Sequence, residues 1–146
     1  MSIDSVINKY FNFLVTDFNF EKPVIYTYIR EQHTDYIKEN IVVKIIYDGG
    51  YWCNLIRIKN PDQDFLSDKK RVVDFSFTEL KYYDLSKLDE GKKLYDSVSE
   101  EHFPKKEKEL WYYSTLLKQN PEVLHGDFLK FSLTYRLLKK FGLSLF

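Results

Sequence analysis

Residues 41–59 restrict the fold more than any other part of the chain. The segment 41–47 is dense in β-branched and aromatic residues, which favour extended strands. Residues 48–50 are Asp-Gly-Gly, and glycine adopts the positive φ angles of a tight turn at little cost. The extended pattern then resumes over residues 51–59. This order predicts an antiparallel β-hairpin, in a sheet covered on one face and partly covered on the other.

Other strand signals are weaker. The segment 24–30 is β-branched and aromatic and predicts a strand, and 71–77 is a candidate for another. Residues 31–40 are polar, which predicts a connection with strand at most at its C-terminal end. Residues 78–88 are ambiguous, and residues 89–102 predict a loop or a marginal helix. The expected sheet therefore has three to four strands.

Helical periodicity marks both ends of the chain. Apolar residues recur at steps of three and four over residues 3–15, which predicts an N-terminal helix. Pro104 favours the start of a second helix, and residues 127–141 predict a third, with aspartate as its cap and a short turn over 121–126 before it. The sequence thus predicts a single α+β domain, residues 1–146, with a mainly antiparallel sheet and two C-terminal helices packed on it.

The charge balance argues against a strong attraction to nucleic acid or to an acidic membrane. Lys and Arg number 22, as do Asp and Glu. The N-terminus has no basic stretch leading into an apolar one, and no apolar run approaches the ~18 residues of a membrane span. Cys53 is the single cysteine, which rules out an internal disulfide and fits a reducing compartment. We expect a cytoplasmic protein that does not associate with membranes.

Side chains capable of catalysis are scattered along the sequence. His33, His102 and His125 lie in three separate connecting segments, without the spacing of a zinc site. Cys53 falls in the middle of a predicted strand, where cysteine is usually a small buried apolar residue. No phosphate-binding glycine motif or nucleophile elbow occurs. The sequence predicts no catalytic residues, no metal site and no cofactor.

The charged clusters have simpler explanations than ligand binding. Asp62, Asp64 and Asp68 share one segment, but Val73 stands where a calcium-binding EF-hand requires glutamate. The basic clusters flank or lie in predicted helices and loops, where lysine and arginine ordinarily face solvent. We expect a solvated acidic loop. Nucleic-acid binding is a minor alternative, against which the neutral net charge argues.

Aromatic residues, among them Tyr36 and Trp52, concentrate around the predicted sheet. The ordinary explanation is that they fill the core. Tyrosine and tryptophan are also enriched where proteins bind one another, since they bury large areas at low conformational cost. If exposed beside the acidic loop, they form a protein-docking surface. Its candidate residues are Tyr26, Tyr28, Arg30, Tyr47, Tyr51, Asp62 and Asp64.

The order of the segments, together with three stretches of sequence, carries a resemblance. The stretches are Tyr-Phe-Asn-Phe-Leu at 10–14 with Asp-Phe-Asn-Phe at 17–20, Ile-Val-Val-Lys-Ile-Ile-Tyr-Asp at 41–48, and Leu-His-Gly-Asp-Phe at 124–128. The chain resembles a group of small uncharacterised bacterial α+β proteins, some of which are similar to immunity proteins of polymorphic toxin systems. The resemblance implies a non-enzymatic protein that binds another protein, such as a toxin, and blocks it. It carries over no functional residues.

Two alternatives belong to other functional classes. One is a small enzyme whose cleft combines His33, His102 or His125 with nearby carboxylates. The other is a weak nucleic-acid-binding protein. The first predicts that those side chains share a cleft, and the second predicts salt-dependent retention on DNA or RNA. The sequence does not indicate an oligomeric state.

Overall fold

The computed structural model describes residues 3–58, 80–104, 106–132, 137 and 140–141. It confirms the α+β class, with N-terminal helices, an antiparallel sheet and C-terminal helices. The strand count is higher than predicted, because five strands form one meander in sequence order among the described residues. They are Val24–Tyr28 (β1), Glu31–Lys38 (β2), Ile41–Tyr47 (β3), Tyr51–Ile58 (β4) and Leu80–Asp84 (β5).

Two of the five strands account for the difference. β2 occupies most of the segment that was predicted as a polar connection, and it pairs with β1 on one side and β3 on the other. β5 occupies part of the ambiguous segment and pairs with β4. Neither strand has a clear apolar alternation of its own. Pairing with the neighbouring strands therefore determines the extended conformation of both. The candidate strand over 71–77 lies outside the described residues.

The N-terminal helix consists of two segments, Ile3–Phe11 (α1) and Phe13–Phe18 (α2). It therefore runs a few residues further than predicted. Asn19 ends it in the left-handed region, with a φ of 62°, and its N–H donates to the carbonyl of Leu14. This is a common way for a helix to terminate, because asparagine tolerates positive φ better than most residues.

The polar segment after β5 folds into single turns, in agreement with the predicted loop or marginal helix. A 3-10 turn over Leu85–Leu88 is followed by the one-turn helix Lys93–Asp96 (α3) and a 3-10 turn over Glu100–His102. The predicted helix after Pro104 is Glu107–Gln119 (α4). Among the described residues, no helix combines the length and the apolarity that crossing a membrane requires.

The last part of the chain only partly follows the prediction. The expected short turn is a 3-10 segment, Pro121–His125, which ends at Gly126. The predicted cap at Asp127 is wrong by one residue, because Phe128 is the N-cap of the next turn, although Oδ1 of Asp127 accepts the N–H of Leu129. The segment that follows is a 3-10 turn over Leu129–Phe131, and most of the remaining predicted helix lies outside the described residues.

The main core lies between the helices and one face of the sheet, which we call the helix face. α4 contacts both α1 and β4. Phe11 from α1 and Tyr36 from β2 are fully buried and stack with ring centroids 6.2 Å apart. Further buried residues of this layer are Ile7, Leu14, Val43, Ile45, Leu55, Leu110 and Leu117.

The opposite face of the sheet, which we call the second face, is also largely shielded from water. Val42 on β3 and Ile56 on β4 are fully buried, and Ile37 on β2 is 4% exposed. The central strands therefore bury side chains on both faces. This explains why β3 has an almost continuous apolar sequence rather than an alternating one.

The left-handed backbone at Gly126 provides a test of the local fold. Gly126 has a φ of 95°, and an added Cβ would lie an ordinary 3.8 Å from Ile41. Replacing it with alanine (G126A) is therefore expected to lower the free energy of unfolding by about 1–2 kcal/mol, through backbone strain alone. Urea denaturation measures the change. The control is G50A at a glycine without positive φ, where we expect a change below about 0.5 kcal/mol. Equal stability of G126A and the original chain would contradict the assigned conformation.

Candidate functional site

The sheet separates the predicted tyrosines into two pairs. Tyr26 and Tyr28 lie two residues apart on β1, so they share one face. Tyr47 and Tyr51 pair directly across the β3–β4 hairpin, with ring centroids 5.0 Å apart, and pack against the main core. The register places the first pair on the second face and the other pair on the helix face. The four tyrosines therefore do not form one surface.

The other predicted surface residues join neither pair. Arg30 is exposed in the turn between β1 and β2. Asp62 and Asp64 lie outside the described residues, so their part in a docking surface stays a prediction. Tyr51 is 7% exposed and belongs to the core.

A different aromatic surface lies at one end of the second face, where the β1–β2 and β3–β4 turns adjoin. Trp52 on β4 pairs directly with Ile46 on β3 and is 51% exposed. At the same end, Tyr28 is 41% exposed and Ile29 is 80% exposed. We call Tyr28, Ile29, Ile46 and Trp52 the Trp52 surface. Single exposed apolar residues are ordinary, but a group of them at one end of a sheet is typical of an interaction site.

Carboxylates border the Trp52 surface. Glu31, Asp48 and Asp84 line a cavity of about 400 Å³ together with Ile46 and Trp52. Arg30 lies beside them in sequence and adds one positive charge. These carboxylates form the acidic border of the Trp52 surface among the described residues, whereas the predicted acidic loop 61–68 lies outside them.

Sequence reasoning missed this surface for an identifiable reason. The sequence prediction includes Trp52 among the aromatics around the sheet, but its docking surface contains the neighbouring Tyr51 instead. Strand alternation puts these neighbours on opposite faces. The buried Cys53 is flanked by Trp52 and Asn54, and this alternation was the available signal that Trp52 points away from the core.

The edge of β4 is open along its first residues. The ladder between β4 and β5 begins at Asn54, so no described strand flanks residues 51–53 on that side. Glu109 on α4 lies there instead, and its Oε2 accepts the backbone N–H of Tyr51 at 2.6 Å. An unpaired strand edge invites pairing with another chain, and a carboxylate placed against it opposes such pairing.

A second cavity, of about 330 Å³, lies beside this open edge, and we call it the tyrosine cavity. Its walls combine aromatic rings with two carboxylates and one ammonium group. They include Tyr51, Trp52, Tyr95, Tyr112 and Tyr113, with Asp84, Ser86, Lys92 and Glu109. The two cavities share Trp52, Asp84 and Tyr113.

A polar cluster is buried on the second face. The ammonium group of Lys44 lies 2.9 Å from Oδ1 of Asp35 and 2.9 Å from Nδ1 of His33, and it donates to the hydroxyl of Tyr26. That hydroxyl donates to Oδ2 of Asp35 at 2.7 Å. Nε2 of His33 lies 3.3 Å from Glu31. Lys44, His33 and Asp35 are at most 4% exposed, so the cluster largely satisfies itself without water.

The burial of this cluster determines its protonation. Burial lowers the pKa of His33 and the Lys44 ammonium lowers it further, while Glu31 and Asp35 act in the opposite direction. Burial also lowers the pKa of Lys44, which Asp35 opposes. Neutral His33 then accepts a hydrogen bond from Lys44 through Nδ1 and donates one to Glu31 through Nε2. Neither His33 nor Lys44 lines the two cavities described above, so the geometry supports a structural role for the cluster.

The other candidate reactive groups do not join this cluster. His102 is exposed in a 3-10 turn, and His125 is exposed beside the ring of Phe18. Cys53 is 2% exposed, and burial raises the pKa of its thiol, which disfavours the thiolate. Within the described ranges, His, Cys, Asp and Glu side chains form no group of three that could hold a metal ion.

The lysine cluster after Pro104 is not a uniformly solvated face. Lys108 is 6% exposed, and its ammonium lies 3.9 Å from the ring centroid of Tyr95. Lys105 lies outside the described residues. A basic side chain committed to packing contributes little to a nucleic-acid-binding surface.

The chain matches no protein family, no curated protein and no solved structure in comparisons with known proteins. The resemblance to small bacterial proteins therefore stays a prediction.

The lowered pKa of His33 predicts a stability that depends on pH. The unfolded chain takes up a proton near the ordinary histidine pKa of 6.5, whereas the folded chain resists it. This contribution to stability is fully present above pH 6.5 and decreases as the pH falls below it, by at most about 1.4 kcal/mol per pH unit. Between pH 7.5 and pH 5.5 we expect the original chain to lose more stability than the variant H33Q.

Urea denaturation at the two pH values measures this difference. Glutamine can still accept from Lys44 and donate to Glu31, so H33Q removes the titration while keeping the hydrogen bonds. H125Q, at an exposed histidine, is the matched control and should retain the original pH dependence. If H33Q and the original chain lose the same stability, His33 does not resist protonation in the fold.

Proposed function

We propose that this chain is a non-enzymatic protein-binding module, and that the Trp52 surface is its docking site. The observation that carries the proposal is the 51% exposure of Trp52 on the sheet face where Val42, Ile56 and Ile37 are buried. A large aromatic side chain presented in this way loses little conformational entropy on binding, which is why tryptophan is enriched at binding hot spots.

The partner proposed for this surface is a protein with a basic face around an apolar centre. Glu31, Asp48 and Asp84 border the Trp52 surface, whereas Arg30 is the single basic residue in the adjoining turn. Complementary charge accelerates association and disfavours wrong partners. Desolvated apolar contacts at Trp52 and Ile29 would then supply most of the affinity.

The resemblance narrows the proposal to a bacterial immunity protein, in which the partner is a toxin that the chain blocks. A cytoplasmic location belongs to the same proposal and is supported by the single buried Cys53, which needs no oxidising compartment. Blocking requires no catalytic group, and the buried His33–Lys44 cluster is consistent with this, because its interactions are internal to the fold.

The test uses the proteins encoded beside the gene for this chain, purified and titrated individually by calorimetry. We expect one of them to bind, and we expect the variant W52A to weaken that binding by about 30-fold, the effect of losing one hot-spot residue. Ile25 offers a matched control, since it is 43% exposed but faces the helix side of β1. I25A should leave the affinity unchanged. Co-expression in cells should show protection from the partner that W52A reduces.

Two results would contradict the proposal. One is that none of the neighbouring proteins binds. The other is a bound partner whose affinity responds to I25A and not to W52A, which would place the interface on the other side of the sheet.

A further inference from the structure

The tyrosine cavity has the dimensions of a site for a small group rather than for a protein surface. Its volume of about 330 Å³ lies at the lower end of the range for small-molecule pockets. Several aromatic rings meet in its walls. The rings of Tyr95 and Tyr112 lie 5.2 Å apart and nearly perpendicular, and those of Tyr112 and Tyr113 lie 5.3 Å apart. Aromatic faces turned in different directions are the arrangement that encloses organic cations.

A cation already packs on one of these rings. Lys108 is 6% exposed, and its ammonium lies 3.9 Å from the centroid of Tyr95. This distance is well inside the range of a cation–π interaction. The Tyr95 ring thus already binds one cation of the protein itself, which leaves the rings of Tyr51, Tyr112 and Tyr113 for a further cation.

Carboxylates add a negative potential. Glu109 accepts the N–H of Tyr51 through Oε2, and Asp84 accepts the N–H and hydroxyl of Ser86 through Oδ1. The second oxygen of each carboxylate has no hydrogen-bond donor within the described part of the chain. Lys92 also lines the cavity, and both it and Asp84 are exposed, so water screens these two charges, whereas Glu109 is half-buried.

The tyrosine pKa values respond to the same potential. Burial is the largest cause that raises the pKa of Tyr51, Tyr95 and Tyr112. At Tyr51, Tyr47 and then Glu107 and Glu109 add to it, and at Tyr95 and Tyr112 nearby carboxylates add to it. For Tyr113 burial is again the largest cause, with Cys53 and then Asp84 and Glu109 adding to it. The phenols stay neutral near pH 7, so their rings present uncharged aromatic faces beside the carboxylates of Asp84 and Glu109.

Tyr112 contributes a buried phenol to the wall of the cavity. Its side chain is 3% exposed, and burial is the largest cause that raises its pKa. Asp89 adds to this through its charge and a side-chain hydrogen bond. The Asp89 oxygens also accept the N–H groups of Leu94 and Tyr95.

We propose that the tyrosine cavity binds an alkylguanidinium group. A guanidinium is planar, stacks on tyrosine rings and donates to two carboxylates at once, which suits rings flanked by Asp84 and Glu109. The group comes either from an arginine side chain of a peptide or from a free guanidino compound. This binding goes beyond the docking function of the Trp52 surface and does not require it.

The test titrates n-butylguanidinium into the purified chain and follows the backbone amide signals by NMR. The control ligand is n-butylurea, which has nearly the same shape without the charge. We expect saturable shifts of residues in the tyrosine cavity with the guanidinium and none with the urea. Equal binding of the two ligands, or no saturable shift with either, would overturn the proposal.

Three variants identify the site. E109Q and D84N keep the hydrogen bonds to Tyr51 and Ser86 but remove one charge each, so each should weaken binding about tenfold. E101Q removes a charge from an exposed turn and should leave the affinity unchanged. Amide spectra of the free variants check that each one is folded. If E101Q weakens binding as much as the other two, attraction is due to overall charge and not to this cavity.

A last comparison separates the two sources of the guanidinium. Agmatine is a free guanidino compound, and the blocked peptide Gly-Arg-Gly presents the same group on a backbone. Tighter binding of the peptide assigns the cavity to a protein ligand, and tighter binding of agmatine assigns it to a small molecule. Because neither probe contacts a toxin or another folded protein, this result is independent of the outcome of the W52A experiment.

Discussion

A lysine ammonium buried within the sheet constrains how the strands can pair. Lys44 is 2% exposed, and it pairs directly across the strands with Asp35, which is fully buried. Removing two charges from water costs several kcal/mol, which is offset only when the pair and its hydrogen bonds are well formed. A shift of β3 by one residue would turn Lys44 toward the helix-face core and away from this partner. The ion pair therefore selects a single register for β2 and β3.

The same constraint divides the second face into three zones. Val42 and Ile37 close one end of it, and the Lys44 cluster occupies the middle. At the other end, neither this polar cluster nor these apolar side chains cover the surface, and Trp52 and Ile29 are exposed. Because β1–β2 and β3–β4 are both tight hairpins, their turns adjoin at this end. The Trp52 surface is thus a consequence of strand register rather than of local sequence.

Local signals were sufficient for part of the fold. The β3–β4 hairpin, the N-terminal helix and α4 were predicted, because glycine turns and apolar periodicity are encoded within each segment. β2 was missed because its polar residues, including His33 and Asp35, find their partners on other strands. The candidate site also combines residues that the local sequence predicts with residues that only the strand pairing identifies. Tyr28 was a candidate, but the roles of Trp52 and Asp48 depend on the register and on where each turn falls.

Glu109 connects the protection of the sheet with the chemistry proposed for the tyrosine cavity. Its carboxylate satisfies the N–H of Tyr51 where β5 does not reach, so it closes an edge that could otherwise pair with another chain. A lysine or a proline could protect a strand edge as well, but a carboxylate also leaves a second oxygen and a negative charge in the cavity. Beside the rings of Tyr112 and Tyr113, this charge favours a cation. Protecting the edge with an acid thus determines which class of ligand the adjacent cavity can hold.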